Sequence, residues 1–211
     1  MATEVAANKP MIAWLSIFAG VLIWSGWHPH DYYTWMLEVL PALIALIVLV
    51  KTRRRFIFTP LAYQLILLHC VVLMVGGHYT YAEVPIGEWF QSAFGWQRNN
   101  YDKFGHLLQG LVPALVAREI LVRLSVVPTG RWLDLFVISL ALAISAFYEL
   151  IEWWVALLSD QAAESFLGTQ GYVWDTQSDM AMALLGAMMT ILLLRRWHDR
   201  QLSEIDQPDS E

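Results

Sequence analysis

Six long apolar segments constrain the fold of this chain more than any other feature. Crossing the hydrocarbon core of a bilayer takes about 20 helical residues, with roughly 17 as the lower limit. The chain is also 57% hydrophobic and only 15% charged, which is too apolar for an ordinary soluble domain. We therefore predict an all-α membrane protein with six transmembrane helices. The segments lie at about 10–27, 33–50, 57–77, 104–124, 132–155 and 178–196.

Polar or turn-forming stretches separate the six segments, and the sequence has no internal repeat. We predict one transmembrane domain at 1–197 and a polar cytoplasmic tail at 198–211. The first segment should be retained as a span, because only Lys9 precedes it as a basic residue and no small-x-small cleavage site follows. In the long outer loop at 78–103, residues 87–94 repeat apolar groups at three- and four-residue spacing, which predicts a short interfacial helix.

The basic residues predict the orientation, because Lys and Arg in short loops are retained on the cytoplasmic side. With six alternating spans, one face of the membrane carries eleven basic residues, and the other carries only Arg98 and Lys103. Both termini are therefore predicted to be cytoplasmic. The eleven residues are Lys9, Lys51, Arg53, Arg54, Arg55, Arg118, Arg123, Arg131, Arg195, Arg196 and Arg200.

Several classes of function are disfavoured by what the sequence lacks. Cys70 is the only cysteine and lies in an apolar run, which excludes a disulfide framework and a Cys-based zinc site within one chain. There is no Gly-rich phosphate loop, no Gly-x-Ser-x-Gly elbow and no His-Glu-x-x-His pair. The apolar composition also argues against nucleic-acid binding.

Three spans each carry a pair of ionisable residues near the extracytoplasmic side of the membrane. Members of a pair are three or four residues apart, so each pair shares one helix face. The fourth and sixth spans run inward and the fifth runs outward, which should place all three pairs at a similar depth. The pairs are Asp102 with His106, Glu149 with Glu152, and Asp175 with Asp179.

The excess of carboxylates in these pairs favours a bound cation. Two like charges about 4 Å apart repel by roughly 4 kcal/mol at an effective dielectric near 20, so converged carboxylates should protonate or recruit a cation. We expect a divalent metal ion with ligands from Asp102, His106, Glu149, Asp175 and Asp179. Zinc is slightly preferred over manganese, iron, magnesium or calcium, because imidazoles are available and zinc lowers the pKa of bound water to about 7.

Each candidate residue also has a purely structural explanation. Asp102 and Asp175 precede helices, where an Asp often caps free amide groups. His106 alone is weak evidence for a ligand, and His78 fits an ordinary turn or interfacial residue. His69 fits a satisfied core histidine. The two glutamates of the fifth span resist such explanations better, because intramembrane carboxylates usually mark a pathway or a site.

Four stretches of the sequence carry a resemblance to a known family. They are VGGHYTYAE at 75–83, YDKFGH at 101–106, AISAFYELIEWW at 143–154 and WDTQSD at 174–179. With these strings the chain resembles the YjdF-like bacterial inner-membrane proteins, a family of unknown function, over about 23–194. The resemblance implies a bacterial inner-membrane location and no particular activity.

A more distant likeness is to VanZ-like membrane proteins, which carry an Asp-Lys-x-x-His string, a later membrane Glu, and an Asp before a final Gly-containing helix. Asp102 to His106, Glu149, Asp179 and Gly186 follow that order in the last three spans. The Asn expected between the last Asp and Gly is absent. The likeness implies a shared fold and an association with the cell envelope.

The leading hypothesis is a metal-dependent membrane hydrolase of lipid or envelope substrates, with its site at the periplasmic face. Glu152 or His78 would be the general base that aligns the attacking water, or a further ligand. The alternatives are an ion- or proton-coupled transporter, and a non-catalytic membrane partner held together by a structural ion. The small size and the lack of a repeat are unlike common transporter designs.

Overall fold

A computed structural model describes residues 2–158 and 169–205, and their side chains from Lys9 onward. Over those ranges the regular structure is helical throughout and contains no strand. Five helices are long and apolar enough to cross a membrane, and Lys9–Ser25 forms a shorter apolar helix. The all-α architecture predicted from the sequence is therefore confirmed, with five to six candidate spans.

The helix bounds lie within a few residues of the predicted segments, except that α1 begins earlier and the last helix runs further. The described ranges contain α1 (Ala2–Ser25), α2 (Tyr32–Thr52), α3 (Pro60–Tyr79), α4 (Pro85–Phe94), α5 (Tyr101–Arg123), α6 (Arg131–Leu158), α7 (Asp175–Met189) and α8 (Arg195–Ile205). A 3-10 turn at Tyr81–Glu83 precedes α4. A π-helical stretch at Thr190–Leu194 joins α7 to α8, so the helix continues past residue 198, where the polar tail was predicted to begin.

Local sequence signals explain where α2 and α3 begin. The Asp31 carboxylate accepts a hydrogen bond from the backbone N–H of Thr34 at 2.7 Å, which caps α2 and lowers the pKa of Asp31. Thr59 caps α3 by accepting from the N–H of Ala62, and Pro60 occupies the first position of that helix. Proline suits this position because its missing N–H would have no partner there.

Helix α5 is the centre of the bundle and packs most closely against α7. The most apolar window of α5 is 67% buried, against 22% for the corresponding windows of α2 and α6. A Cβ atom on Gly110 would lie 1.8 Å from the Ala183 carbonyl oxygen, and one on Gly186 would lie 2.0 Å from the Leu107 carbonyl oxygen. The two backbones therefore touch, as they do where small residues line interfaces between membrane helices.

The outward surfaces of the bundle are apolar, as expected for helices in contact with lipid. On α6, Phe136, Leu140 and Phe147 are exposed and recur at helical spacing, while Val137 and Ala141 are buried. This distribution suits a hydrocarbon solvent outside the bundle. It leaves the polar residues at the two ends of the bundle and in its interior.

Two ends of the bundle are distinguished by their charged residues. Asp102 lies in the first turn of α5, and Arg118 lies 16 residues later, or ~24 Å along the helix axis. We call the end that contains Asp102 the carboxylate end, and the end that contains Arg118 the arginine end. The candidate functional site lies at the carboxylate end.

Candidate functional site

Three buried side chains from α5 and α7 converge at the carboxylate end. One ligand atom from each of Asp102, His106 and Asp179 lies within 4.8 Å of the other two. The three residues are 8%, 5% and 2% exposed, respectively. Because two of them come from α5 and one from α7, the close approach of those helices at Gly110 and Gly186 brings the set together. Three residues of the predicted ligand set therefore lie together.

The hydrogen bond made by His106 orients its imidazole ring. Nδ1 of His106 lies 2.9 Å from the side-chain oxygen of Gln109, which accepts when Nδ1 carries the proton. Nε2 then faces Asp102, 3.4 Å from Oδ1. Metal-binding histidines commonly donate their second N–H to such an acceptor, which fixes the tautomer. The hydrogen bond to Gln109 would therefore keep the proton on Nδ1 and leave Nε2 of His106 able to bind a metal ion.

The paired glutamates of α6 border the same cluster. Glu149 and Glu152 are each 8% exposed, and Oε1 of Glu149 lies 3.7 Å from Nδ1 of His106. Glu152 lines a cavity that Asp102 and His106 also line. The predicted convergence of the α6 pair with the α5 pair therefore occurs, although neither glutamate belongs to the close three-residue group.

Asp175 differs from the rest of the predicted ligand set, because a guanidinium group neutralises it. Nη1 of Arg98 donates to Oδ1 of Asp175 in a short ion pair. Nη2 of Arg98 also lies 3.9 Å from Oδ2 of Asp102. The connection between α4 and α5 thus delivers a positive charge to one side of the cluster. Asp175 is closer to an ion-pair partner than to an open ligand position.

Glu38 is a further member of this region that the analysis of the sequence missed. It lies in the second turn of α2, is 3% exposed, and accepts a hydrogen bond from the Tyr148 hydroxyl at 3.3 Å. The signal was present, because a single carboxylate inside an apolar span is costly and usually functional. The pattern of paired ionisable residues does not include Glu38, because no ionisable residue stands three or four positions from it on α2.

A small cavity connects Glu38 with the α5 residues. Its volume is about 20 Å³, which is enough for an ion or about one water molecule. The wall includes ionisable residues from four helices, and His69 from α3 is one of them. The polar lining residues are Glu38, His69, Tyr81, Asp102, His106, Gln109, Tyr148 and Glu152.

His78 has structural partners at the outer end of α3. Its Nδ1 lies 2.9 Å from the carbonyl oxygen of Ser25, and its ring packs 4.5 Å from the Trp24 ring centroid. It is not among the residues that line the cavity. Nearby, Nε2 of His30 lies 3.7 Å from Glu83, and both side chains are more than half exposed. These contacts join the connection after α1 to the end of α3.

Two carboxylate oxygens in this region have no hydrogen-bond partner among the described residues, and the residue types around them could hold a metal ion. Oδ1 of Asp179 and Oε1 of Glu149 are buried and accept no hydrogen bond from the part of the chain that the structure describes. A buried carboxylate oxygen without a donor costs about 1–3 kcal/mol or more, so such atoms usually have a partner. Two carboxylates and an imidazole are ordinary ligands for zinc, manganese or iron.

A second buried polar cluster lies at the arginine end. Nε2 of His198 lies 3.1 Å from Oε2 of Glu119, and both side chains are fully buried. Glu119 also accepts from the backbone N–H of Thr59 at 2.9 Å and from the Thr59 hydroxyl at 2.8 Å. These bonds tie α3, α5 and α8 together. Sequence reasoning missed the cluster because it treated 198–211 as a separate polar tail.

Comparison with known proteins identifies the family. Residues 10–200 match the family described as predicted membrane protein DUF2238. The chain belongs to the DUF2238 family. It is 57% identical over 182 residues to the inner membrane protein YjdF of Escherichia coli strain K12, with 86% of this chain and 87% of that relative covered. No solved structure matches the chain.

Membership of DUF2238 confirms the predicted YjdF-like resemblance and the location in the bacterial inner membrane. The region that matches the family includes all six predicted spans and the whole carboxylate end. The comparisons do not show the VanZ-like likeness, which stays a prediction.

Proposed function

We propose that this DUF2238 protein binds one divalent metal ion at the carboxylate end and uses it in hydrolysis. Asp102, His106 and Asp179 would hold the ion. The observation that carries the proposal is the approach of their ligand atoms to within 4.8 Å in a buried setting. The buried Asp179 oxygen that accepts no hydrogen bond within the described ranges supports it independently. Asp102 and His106 also line the cavity, whose volume is enough for an ion or about one water molecule.

The charge balance of the carboxylate end supports a cation there. Six buried carboxyl groups face this region, and Arg98 pairs with two of them, closely with Asp175 and at 3.9 Å with Asp102. Like charges about 4 Å apart repel by roughly 4 kcal/mol at an effective dielectric near 20, so a divalent cation would relieve a substantial cost. The six are Glu38, Asp102, Glu149, Glu152, Asp175 and Asp179.

The orientation in the membrane is part of the same proposal. We place six spans in the bilayer, with both termini in the cytoplasm and the carboxylate end at the periplasmic face. The distribution of eleven basic residues against two supports this arrangement. Helix α4 would lie in the periplasmic headgroup layer, because Trp89, Phe90 and Phe94 form an exposed aromatic row on it.

Zinc remains the preferred ion, and it would supply a water molecule acidic enough to attack at neutral pH. The protein groups would divide the remaining work. Gln109 holds the imidazole of His106 so that Nε2 is available. Glu152 lines the same cavity and is the carboxylate that would accept the proton of the attacking water. Glu149 and Asp175 would set the charge around the ion.

The substrate class proposed is a lipid or a membrane-bound envelope precursor. The cavity is too small for a whole headgroup, so the scissile group would have to reach the ion from the cavity mouth. A site near the ends of α5 and α7, with α4 at the interface, would be open to molecules anchored in the periplasmic leaflet. His78 is held by Ser25 and Trp24, so Glu152 is the preferred base.

The interior beyond the cavity favours a fixed site over a transport pathway. Gln109 is the last polar lining residue of α5 before a run in which Leu111, Val112, Ala114 and Leu115 are all buried. Beside this run, the Thr190 hydroxyl donates its proton to the Leu111 carbonyl oxygen at 2.8 Å, so that proton is not available to a passing ion or water molecule. An ion path would need further polar groups across this apolar layer.

Metal analysis of the purified protein tests the proposal. We expect about one equivalent of metal in the wild type and a loss of at least about tenfold in affinity for Asp102→Asn and Asp179→Asn, because each removes a charged ligand. Zinc, manganese and magnesium should each be offered after chelation. Glu83→Gln is the matched control, since it removes an exposed carboxylate on the same side of the bundle.

The outcome separates the alternatives. A wild type that binds no metal and stays folded would overturn the metal site. Metal that is bound but whose removal melts the helices would indicate a structural ion instead of a catalytic one. Turnover of phosphorylated lipids that disappears in Glu152→Gln, with metal retained, would support hydrolysis.

A further inference from the structure

A cleft at the arginine end carries features of a second site, far from the carboxylate end. It lies between the C-terminal half of α5, the start of α6 and the beginning of α8. Its volume is about 370 Å³, within the ~300–1,000 Å³ range of small-ligand pockets. The lining residues are Arg118, Thr129, Gly130, Leu133, Asp134, Arg195 and Asp199.

Two guanidinium groups dominate the chemistry of this cleft. Arg118 is 3% exposed, and Arg195 comes from the first residue of α8. The Nε atoms of both arginines are buried and have no hydrogen-bond partner among residues 9–158 and 169–205. An Nε–H that has been removed from water without an acceptor costs free energy. Each guanidinium group therefore has one buried N–H that no acceptor among those residues satisfies.

The most buried arginine of the cleft, Arg118, is held in place by two residues of α8. Nη1 of Arg118 lies 3.0 Å from Nδ1 of His198, and Nη2 donates to Asp199 at 2.6 Å. His198 in turn contacts Glu119 at 3.1 Å. With the guanidinium donating to Nδ1, Nε2 carries a proton and donates it toward Glu119. This chain of bonds fixes the position of Arg118.

The start of α6 adds backbone donors to the same wall. The helix begins at Arg131, and the first N–H groups of a helix have no partner within it. Gly130 precedes this turn with φ of +146°, and nothing lies within 4 Å of the position a Cβ would take. The positive end of the helix dipole and free N–H groups at such a position suit an anion.

We propose that this cleft binds a phosphate ester. The phosphate would be held by Arg195, by Arg118 and by the N–H groups at the start of α6. Asp134 forms a short ion pair with Arg195, and Asp199 pairs with Arg118, so two carboxylates compete with the ligand for the guanidinium groups. Exposed Arg131 and Arg200 nearby raise the local anion concentration.

The phosphate could come from a phospholipid headgroup or from a soluble phosphate ester, and the shared chemistry is the phosphodiester or monoester anion. Two measurements distinguish the sources. Native mass spectrometry of the full chain, released from nanodiscs containing phosphatidylglycerol, detects bound lipid. Thermal stabilisation of the detergent-solubilised protein by glycerol 3-phosphate detects a soluble ligand.

The decisive variants are Arg195→Gln and Asp134→Asn, because they break the same ion pair and should change binding in opposite directions. Arg195→Gln removes a charged donor and should lower affinity roughly tenfold. Asp134→Asn frees the guanidinium and should raise affinity. Arg196→Gln removes the same charge from the neighbouring residue, which does not line the cleft, and should leave binding nearly unchanged.

The expected changes in affinity have opposite directions, so a loss of folding cannot imitate them. If the ion pair were purely structural, both variants would be less stable. Both side chains are partly exposed, so either substitution should be tolerated. The site is supported if either measurement shows weaker binding in Arg195→Gln and stronger binding in Asp134→Asn. Lipid retention would then identify a phospholipid as the ligand, and thermal stabilisation would identify a soluble phosphate ester. Binding that falls equally in Arg195→Gln, Asp134→Asn and Arg196→Gln would show a general basic surface and overturn the proposal. So would the absence of binding in both measurements.

Discussion

At the scale of single residues, the candidate metal site depends on which carboxylates already have an ion-pair or hydrogen-bond partner. Asp175 is held by Arg98, whereas Asp179, in the same helix, has a buried oxygen that accepts no hydrogen bond within the described ranges. The two residues are four apart and look equivalent in the sequence. Their difference comes from the connection between α4 and α5, which delivers Arg98 to one of them and not to the other.

Glu38 offers a prediction at this scale. It lines the cavity from α2 and is not one of the three close ligands. Glu38→Gln should therefore weaken zinc binding by roughly three- to tenfold through the loss of its field, less than the loss in Asp179→Asn. Isothermal titration of the detergent-solubilised protein measures the difference. Equal losses in the two variants would make Glu38 a direct ligand.

At the scale of helices, the contact between α5 and α7 decides whether the site exists. Gly110 and Gly186 allow the backbones to touch, and Asp179 lies about two turns from Gly186 along α7. The helical period fixes the direction of a side chain only around the axis of its own helix. The relative rotation of the two helices therefore sets the distance between Asp179 and His106.

Gly186→Ala tests this dependence. The added Cβ would meet the Leu107 carbonyl oxygen at 2.0 Å, so the helices must separate or rotate. We expect a loss of about 1–3 kcal/mol in stability and a marked drop in metal content. Gly20→Ala is the control, because nothing lies within 4 Å of its Cβ position. Alanine should be neutral or slightly stabilising there. Thermal unfolding and elemental analysis of both variants provide the comparison.

A Gly186→Ala protein with normal stability and full metal content would contradict the role given to this contact. Reduced metal content with normal stability would still agree with it, since a small rotation can separate ligands without unfolding the bundle. The Gly20→Ala result calibrates the measurement against the ordinary effect of replacing glycine in a helix.

At the scale of the whole molecule, the two ends of the bundle differ in chemistry. The carboxylate end holds six buried acids, and the arginine end holds the Glu119–His198 cluster with the basic cleft. An apolar layer of α5 residues lies between them. The proposed orientation places the metal site outside and the phosphate site inside the cell.

Single-cysteine labelling tests that orientation. Cys70 is buried and can be replaced by serine to give a cysteine-free background. In intact spheroplasts, a membrane-impermeant maleimide should label Ser92→Cys on α4 and should label Arg53→Cys, after α2, only once the membrane is broken. Both positions are exposed. The reverse pattern of labelling would invert the topology and place the carboxylate end in the cytoplasm.

The sequence by itself determined the helical membrane class, the approximate bounds of most helices and the faces on which the ionisable pairs lie. These follow from local physics: apolar length matches bilayer thickness, and residues three or four apart share a helix face. The structure brings Asp102, His106 and Asp179 of the predicted cluster together, and their role as metal ligands stays a prediction.

Only the tertiary structure decided which neighbour each face meets. It placed Glu38 beside the cavity, paired Asp175 with Arg98, held His78 against Ser25 and buried His198 beneath α5. Helical periodicity fixes a residue's direction around its own axis, but it carries no information about the rotation of one helix against another. That rotation depends on close packing between distant segments, here at two glycines that allow backbones to touch.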